Sequence, residues 1–338
     1  MKTLALERAG IILGIMLLAT LPFWVGNAYY INVASQILLF AVLALALNIL
    51  VGYGGLVSLG HAGLFAIAGY TAALMLENGY GHLAADLSAL AMVLVAAAVF
   101  GVLALRTTGI GFLMITLALG QIVWGVAYRW QSLTHGDNGV NVSSRPAPFG
   151  ISLAGPESFY FATLIVFLIA IAAMALFVRS PFGASLRGTR DQARRMNALG
   201  YNVWLIRFVA FLVSGFWTGV AGLLFIYYNG FISPQVAALQ TPAEALLMVI
   251  SGGTATLLGP IVGAAIVVIM KNVKLFEGWW VLGDLFTHWN MMLGVIFVAI
   301  VTFMPEGLVP GSVRLWRRGL QPLRKRPAVA ATLEEPRP

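Results

Sequence analysis

Long apolar runs, broken by short polar or glycine-rich stretches, dominate this chain from end to end. A helix rising about 1.5 Å per residue needs about 20 apolar residues to cross a hydrocarbon core about 30 Å thick. By that measure the pattern predicts spans near 9–26, 31–51, 58–76, 87–105, 110–129, 159–178 and 204–228, with a further crossing at 289–304. Residues 244–271 are too few for two full crossings. They hold Ser251-Gly252-Gly253-Thr254-Ala255-Thr256 and then Leu258-Gly259-Pro260. The expected form is a short, partly inserted helix over 244–251, a glycine-rich turn, and a second helix from about Pro260. Irregular backbone at that depth survives only against protein or a water-filled cavity. The fold class expected is an all-α integral membrane protein of about ten transmembrane or partly inserted helices.

Composition agrees with the pattern. Of 338 residues, 60% are hydrophobic and only 9% are charged, against about one-quarter charged in soluble proteins. A soluble fold of this size could not hide so much apolar surface. The formal charge of +8 raises nucleic acid as a partner, but the basic residues sit at the ends of apolar runs, where membrane topology places them. The absence of cysteine excludes disulfides and thiolate metal sites. Residues 2–8 followed by the run 9–25 and Gly26-Asn27-Ala28 could also form a signal peptide; the topology closes only if this run stays as a span.

The charges orient the spans. With the N-terminus inside, Lys2, Arg8, Arg106, Arg179 and the arginines of residues 180–202 share the cytoplasmic side. Arg129 and Arg145 fall on the other side, with Glu77, Asp86, Asp137 and Glu157. The tail at 314–326, with Arg314, Arg317, Arg318, Arg324, Lys325 and Arg326, should also lie inside, so both termini are expected in the cytoplasm. We divide the chain into a transmembrane domain, 1–313, and a basic, disordered cytoplasmic tail, 314–338. The loop at about 130–158, with His135-Gly136-Asp137-Asn138-Gly139 and three prolines, reads as an ordered outer surface loop.

Two glycine-rich breaks resemble each other. Residues 52–63 read GYGGLVSLGHAG, and a double glycine followed by a Leu-Gly step returns at 251–260. Paired interruptions of this kind mark transporters with internal repeats; close helix packing by small residues is the alternative.

Chemistry-bearing residues are sparse. None of the four lysines, Lys2, Lys271, Lys274 and Lys325, follows a G-x-x-x-x-G loop, so the chain has no P-loop ATP site of its own. Glu77, Asp86 and Glu244 fall at span ends, and the missing mid-span carboxylates argue against an ion-coupled carrier. His61 is the one ionisable group expected in or near the membrane core. It reads either as a gate or substrate contact, or as a neutral histidine bonded to a neighbouring carbonyl. Tyr53, Ser58, Thr116 and Gln121 are polar groups in or beside spans, where such residues more often join helices than bind ligands. No catalytic cluster and no metal site is expected, so an enzyme is a weak rival.

Residues 180–202 carry Arg187, Arg190, Arg194 and Arg195, with Arg179 just before. Pro181 and Gly183 should break the sixth span. Thr189 can cap a helix running to Leu199, with Gly200 ending it. Two readings stand: arginines that hold a loop inside against anionic lipid, or a short surface helix docked into a groove on an ATPase.

At these residues the chain resembles the M-type permease subunits of branched-chain amino acid ABC importers. The likeness rests on residues 48–74, on 111–139 (where His135 stands in place of the family's usual glycine), on 180–233, and on 251–264 together with Phe303-Met304-Pro305-Glu306-Gly307-Leu308. It implies a pore-forming subunit of the bacterial inner membrane that is not itself an enzyme and needs no cofactor, with ATP bound by two separate cytoplasmic ATPase subunits. The other implied partners are a homologous second permease, a periplasmic solute-binding protein and the lipid bilayer, with no nucleic acid. The coupling segment would comprise Arg187, Arg190, Arg194, Arg195, Ala198, Leu199 and Gly200, although the family's run before this glycine is usually alanine-rich and here reads Arg195-Met196-Asn197. The substrate would be a branched-chain or other small hydrophobic amino acid, and the pathway is expected along Tyr53, Ser58, His61, Gly252, Gly253 and Thr254. The alternatives are a stand-alone channel or facilitator for a small polar solute, or an importer of the same family for urea, amides or aromatic acids.

Overall fold

The computed structural model describes residues 16–142, 145–146 and 152–272, with isolated positions at 294–295, 298, 302, 307–309 and 311. The expected crossing at 289–304 lies almost wholly outside the described residues, and the start of the first span and the basic tail lie outside them altogether. Helix α1 covers 16–24. Then come α2 (Ala28–Asn48), α3 (His61–Glu77), α4 (His82–Ala104), α5 (Ile110–Arg129), the single turn α6 (Gln131–Thr134), α7 (Pro156–Arg179), α8 (Pro181–Ala198), α9 (Val203–Asn229), α10 (Gln240–Gly252) and α11 (Leu258–Lys271).

Local chemistry sets the boundaries. Asn27 Oδ1 accepts from the Tyr29 amide at 2.9 Å to start α2. Asn202 does the same for α9 through the Leu205 amide at 3.0 Å, and Gly230, at φ 65°, ends it. Pro156 opens α7 at a position where no amide proton is needed. Five helices among the described residues, beginning at Ala28, His82, Ile110, Pro156 and Val203, are long and apolar enough to cross a membrane.

Packing separates inner from outer helices. Helix α2 is buried almost continuously from Leu38 to Leu50 and forms the centre, surrounded by α7, α9 and α11. By contrast α4 buries one narrow stripe, Ala85, Ala89, Val93, Ala97, Gly101 and Ala104, and leaves Leu87, Met92, Val95 and Val99 exposed. A helix apolar all round but covered on one stripe belongs in lipid or against another membrane subunit. Apart from buried Phe100 the stripe is small because α9 comes close: a Cβ on Gly215 would meet Ala97 at 2.7 Å, and one on Gly219 would meet Val93 at 3.0 Å. The chain is therefore an all-α, multi-pass membrane protein.

The expected hairpin at 244–271 is present, with shifted boundaries. Its first helix begins at Gln240, whose side-chain Nε2 donates to Glu244 Oε1 at 3.0 Å and steadies a polar first turn. Helices α10 and α11 run antiparallel at van der Waals distance, since Cβ atoms on Gly252 and Gly263 would strike the Gly259 and Met248 carbonyls. Helix α11 also runs antiparallel to α2: Thr256 meets Asn48 at one end, and Asn272 meets Gln36 and Tyr29 at the other. Glu244 is buried in the protein and pairs with Lys271 across the hairpin.

The two ends of the bundle differ. At one end β1 (Val140–Asn141) pairs antiparallel with β2 (Phe231–Ile232), Val140 facing Ile232. This ties residues 136–142 to the end of α9, with the Val142 amide donating to the Gly230 carbonyl at 2.8 Å. Helix α8 lies across the opposite end.

Candidate functional site

Helix α8 starts earlier than its sequence suggested. Ser180, not Thr189, is the cap: its Oγ accepts from the Gly183 amide at 3.2 Å, and Pro181 follows as the first helical residue. Thr189 lies inside the helix, fully buried, with its hydroxyl turned back to the Leu186 carbonyl at 2.8 Å. Thr189 therefore lies within a helix whose start Ser180 has already capped. At Gln192 the backbone leaves helical geometry (φ −149°, ψ 83°), and this kink divides the segment into two halves.

The first half is anchored to the bundle. Gly183, Leu186 and Thr189 are buried. Arg187 Nη1 donates to the Val178 carbonyl at 2.8 Å, Arg190 Nη1 to the Gly52 carbonyl at 2.6 Å, and Arg207 of α9 to the Thr189 carbonyl at 2.9 Å. The second half projects. Arg194, Arg195, Ala198, Leu199 and Gly200 are all exposed. Gly200 at φ 88° closes the helix, and the Tyr201 amide reaches back to the Met196 carbonyl at 3.1 Å, the six-to-one bond of a left-handed terminus. Exposed Leu199, Tyr201, Trp204 and Leu205 flank the arginines, and Trp204 stacks on Phe208 at 5.0 Å. The result is a rigidly closed, basic and apolar surface on a short arm.

Under α8 lies a junction of the two glycine-rich turns. Helix α2 widens into a π-helical turn at Ile49–Gly54, a local defect that recurs at functional sites. Gly55, at φ 67°, ends it beneath the aliphatic stem of Arg190. The second turn, 253–257, packs against the first through Asn48, a residue the sequence reading passed over. Its Nδ2 donates to the Thr256 carbonyl at 2.7 Å, and its Oδ1 accepts from the Ala255 amide at 3.1 Å. Gly307 of the C-terminal block packs on Gly253, so closely that a Cβ on Gly307 would strike the Gly253 backbone.

The residues expected along a pathway are placed around this junction. Ser58 and His61 are buried and bonded to each other, Ser58 Oγ to His61 Nδ1 at 2.9 Å. His61 Nε2 lies 2.8 Å from Ser214 Oγ of α9. Serine hydroxyls, not a carbonyl, are thus the partners of this histidine. Tyr53 is buried, and so are Gly252 and Gly253, while Thr254 is exposed. Thr116 accepts from the Leu59 amide at 3.2 Å and so joins α5 to the first turn.

At the far end of the bundle, Gln131, His135, Asp137, Asn138, Gly139 and Asn141 line an open polar recess of about 620 Å³. Arg145 shapes its surroundings. It donates to the carbonyls of Tyr227 and Tyr228, at 3.0 and 3.2 Å, and lies 4.8 Å over the Phe159 ring. It therefore caps the end of α9, a role that its position in a polar loop did not reveal.

Comparison with known proteins places this arrangement. The branched-chain amino acid transport system / permease component family matches residues 29–301, which takes in both turns, α8 and the α10–α11 hairpin. The high-affinity branched-chain amino acid transport system permease protein LivM of Salmonella typhimurium is 27% identical over 314 residues, covering 86% of this chain and 72% of the relative. LivM of Escherichia coli gives the same identity and coverage. The autoinducer 2 import system permease protein LsrC of Yersinia enterocolitica is 28% identical over 197 residues, 56% of this chain and 48% of the relative. No solved structure matches. With most of its length inside one family's boundaries, and with α8 and both glycine-rich turns inside the match, this chain belongs to the branched-chain amino acid transport system permease family.

Proposed function

We propose that this chain is the pore-forming permease subunit of an ATP-binding-cassette importer in the bacterial inner membrane, moving a branched-chain or other small hydrophobic amino acid. The observation that carries this reading is α8: one half is bonded to the bundle, and the other presents Arg194, Arg195 and Leu199 with nothing among the described residues to cover them. An arm fixed at its root and bare at its tip suits a contact through which an external motor pushes. In this reading α8 faces the cytoplasm and two ATPase subunits, which bind the ATP. A homologous second permease completes the pore across the lipid-facing and uncovered helix faces. A periplasmic solute-binding protein docks at the end that holds the polar recess, and the pathway runs beside the two glycine-rich turns.

Stoichiometric co-purification tests the assembly. The tagged chain should bring down two ATPases and a second permease from its native membrane. Isolation as a lone subunit that conducts solute without ATP would establish the facilitator instead. The relatives are named for different cargoes, branched-chain amino acids and autoinducer 2; uptake of leucine against a panel of amides and urea decides the substrate.

A further inference from the structure

Most buried hydroxyls in this bundle serve their own helix. Ser35, Thr163, Thr218 and Ser251 each donate to the carbonyl four residues earlier, at 2.6–3.0 Å. Such bonds satisfy a polar group without tying elements together. Asn48 is different. It is 1% exposed, and its carboxamide is spent entirely on the main chain of a segment more than 200 residues away, giving to the Thr256 carbonyl and taking from the Ala255 amide. Ala255 holds φ 60°, a costly conformation for a residue with a Cβ, at the position where Asn48 grips it.

The same contact continues to α8. Gly52, one helical turn beyond Asn48, has no space for a side chain: a Cβ there would strike Asn48 Oδ1 and the Ala255 backbone. Its carbonyl accepts from Arg190 Nη1 at 2.6 Å. One peptide unit is thus pressed by the second turn on one side and held by a guanidinium of α8 on the other. Gly52 and Ala255 meet backbone to backbone, and the Arg190 and Asn48 side chains bond that contact to α8 on one side and to the second turn on the other; close-packed contacts of this kind transmit displacement.

We propose that Asn48 and Arg190 are positioning residues that link α8 to the α10–α11 hairpin through the π-helical turn, so that a push on α8 moves the turn at 253–257. This rests on the importer reading above. Arg190 couples α8 to the first turn, and Asn48 couples the first turn to the second.

The test is hydrogen exchange on the full transporter in lipid nanodiscs, with and without ATP and vanadate, alongside uptake per ATP in proteoliposomes. In the unaltered complex, nucleotide trapping should change exchange in both 49–55 and 253–257. In Asn48→Ala the change at 49–55 should persist while that at 253–257 falls about three- to tenfold, and uptake per ATP should fall by a similar factor with the ATPase rate retained. Arg190→Ala, an exposed position that leaves the core intact, should lose both responses, and Arg190→Lys should keep part of each. A response at 253–257 that survives both alanine variants, or no response there in the unaltered complex, overturns the inference. A chain that binds no ATPase overturns the importer reading instead, before any exchange is measured.

Discussion

His61 Nε2 and Ser214 Oγ, 153 positions apart, meet at 2.8 Å in the closed interior. The direction of this bond can be worked out. Ser214 has a single proton and donates it to the Ala46 carbonyl, so toward His61 its oxygen must accept. His61 therefore carries its proton on Nε2, and Nδ1 is free to accept from Ser58 Oγ. The neutral ring is satisfied at both nitrogens and ties the first turn, α3, α9 and α2 into one node. Replacing Ser214 by Ala strands a buried N–H and should destabilise the protein by about 1–3 kcal/mol. Thermal unfolding in detergent should show a lower midpoint. The Ser58→Ala, Ser214→Ala pair should cost less than the sum of the two, because both act through one ring. An unchanged midpoint for Ser214→Ala would refute the assignment.

Arg145 closes the other end. Its guanidinium spans two orphan carbonyls of α9 and covers Phe159. Arg145→Ala should cost about 1.5–3 kcal/mol, the range for a bond to a charged group. Limited proteolysis should cut within 130–158 faster. Arg145→Lys should restore little, because an ammonium cannot reach both carbonyls in the plane of the fork. Full restoration by Lys would reduce the site to simple charge.

His135 occupies φ 57°, in the left-handed region, at the position where the resembling family usually has glycine. Its contact with Glu77, at 3.7 Å, joins two half-exposed side chains and contributes little. His135→Gly should therefore raise stability by about 0.5–1 kcal/mol, whereas His135→Ala, which keeps the Cβ, should not. Equal effects from the two changes would show that side-chain contacts, not backbone strain, decide this position.

What could be read in advance follows a physical division. Hydrophobic run length located the five helices long enough to cross a membrane and the short α10–α11 hairpin, because apolar run and helix rise are properties of a local window. The exact starts of α8 and α10 were less legible. Ser180 and Thr189 are equally good caps by type, and only the structure shows that the helix starts at Ser180 and runs through Thr189. The links of the candidate site were least legible, since Asn48 with Ala255 and Arg145 with Tyr227 join residues far apart in the chain. One signal was available: Asn48 is a lone polar residue in the apolar run 37–51, and such a group must find a buried partner.

In the importer reading, the bare half of α8 receives work from an ATPase. This claim is tested most directly by uptake of labelled leucine into proteoliposomes holding the complete transporter, compared with one carrying Arg194→Glu and Arg195→Glu. These side chains are exposed and make no bond to the bundle among the described residues, so insertion and folding should be unaffected. Reversing two contact charges should cut ATP-dependent uptake by about tenfold or more. Uptake at the unaltered rate, or uptake that proceeds without ATP, would contradict the claim.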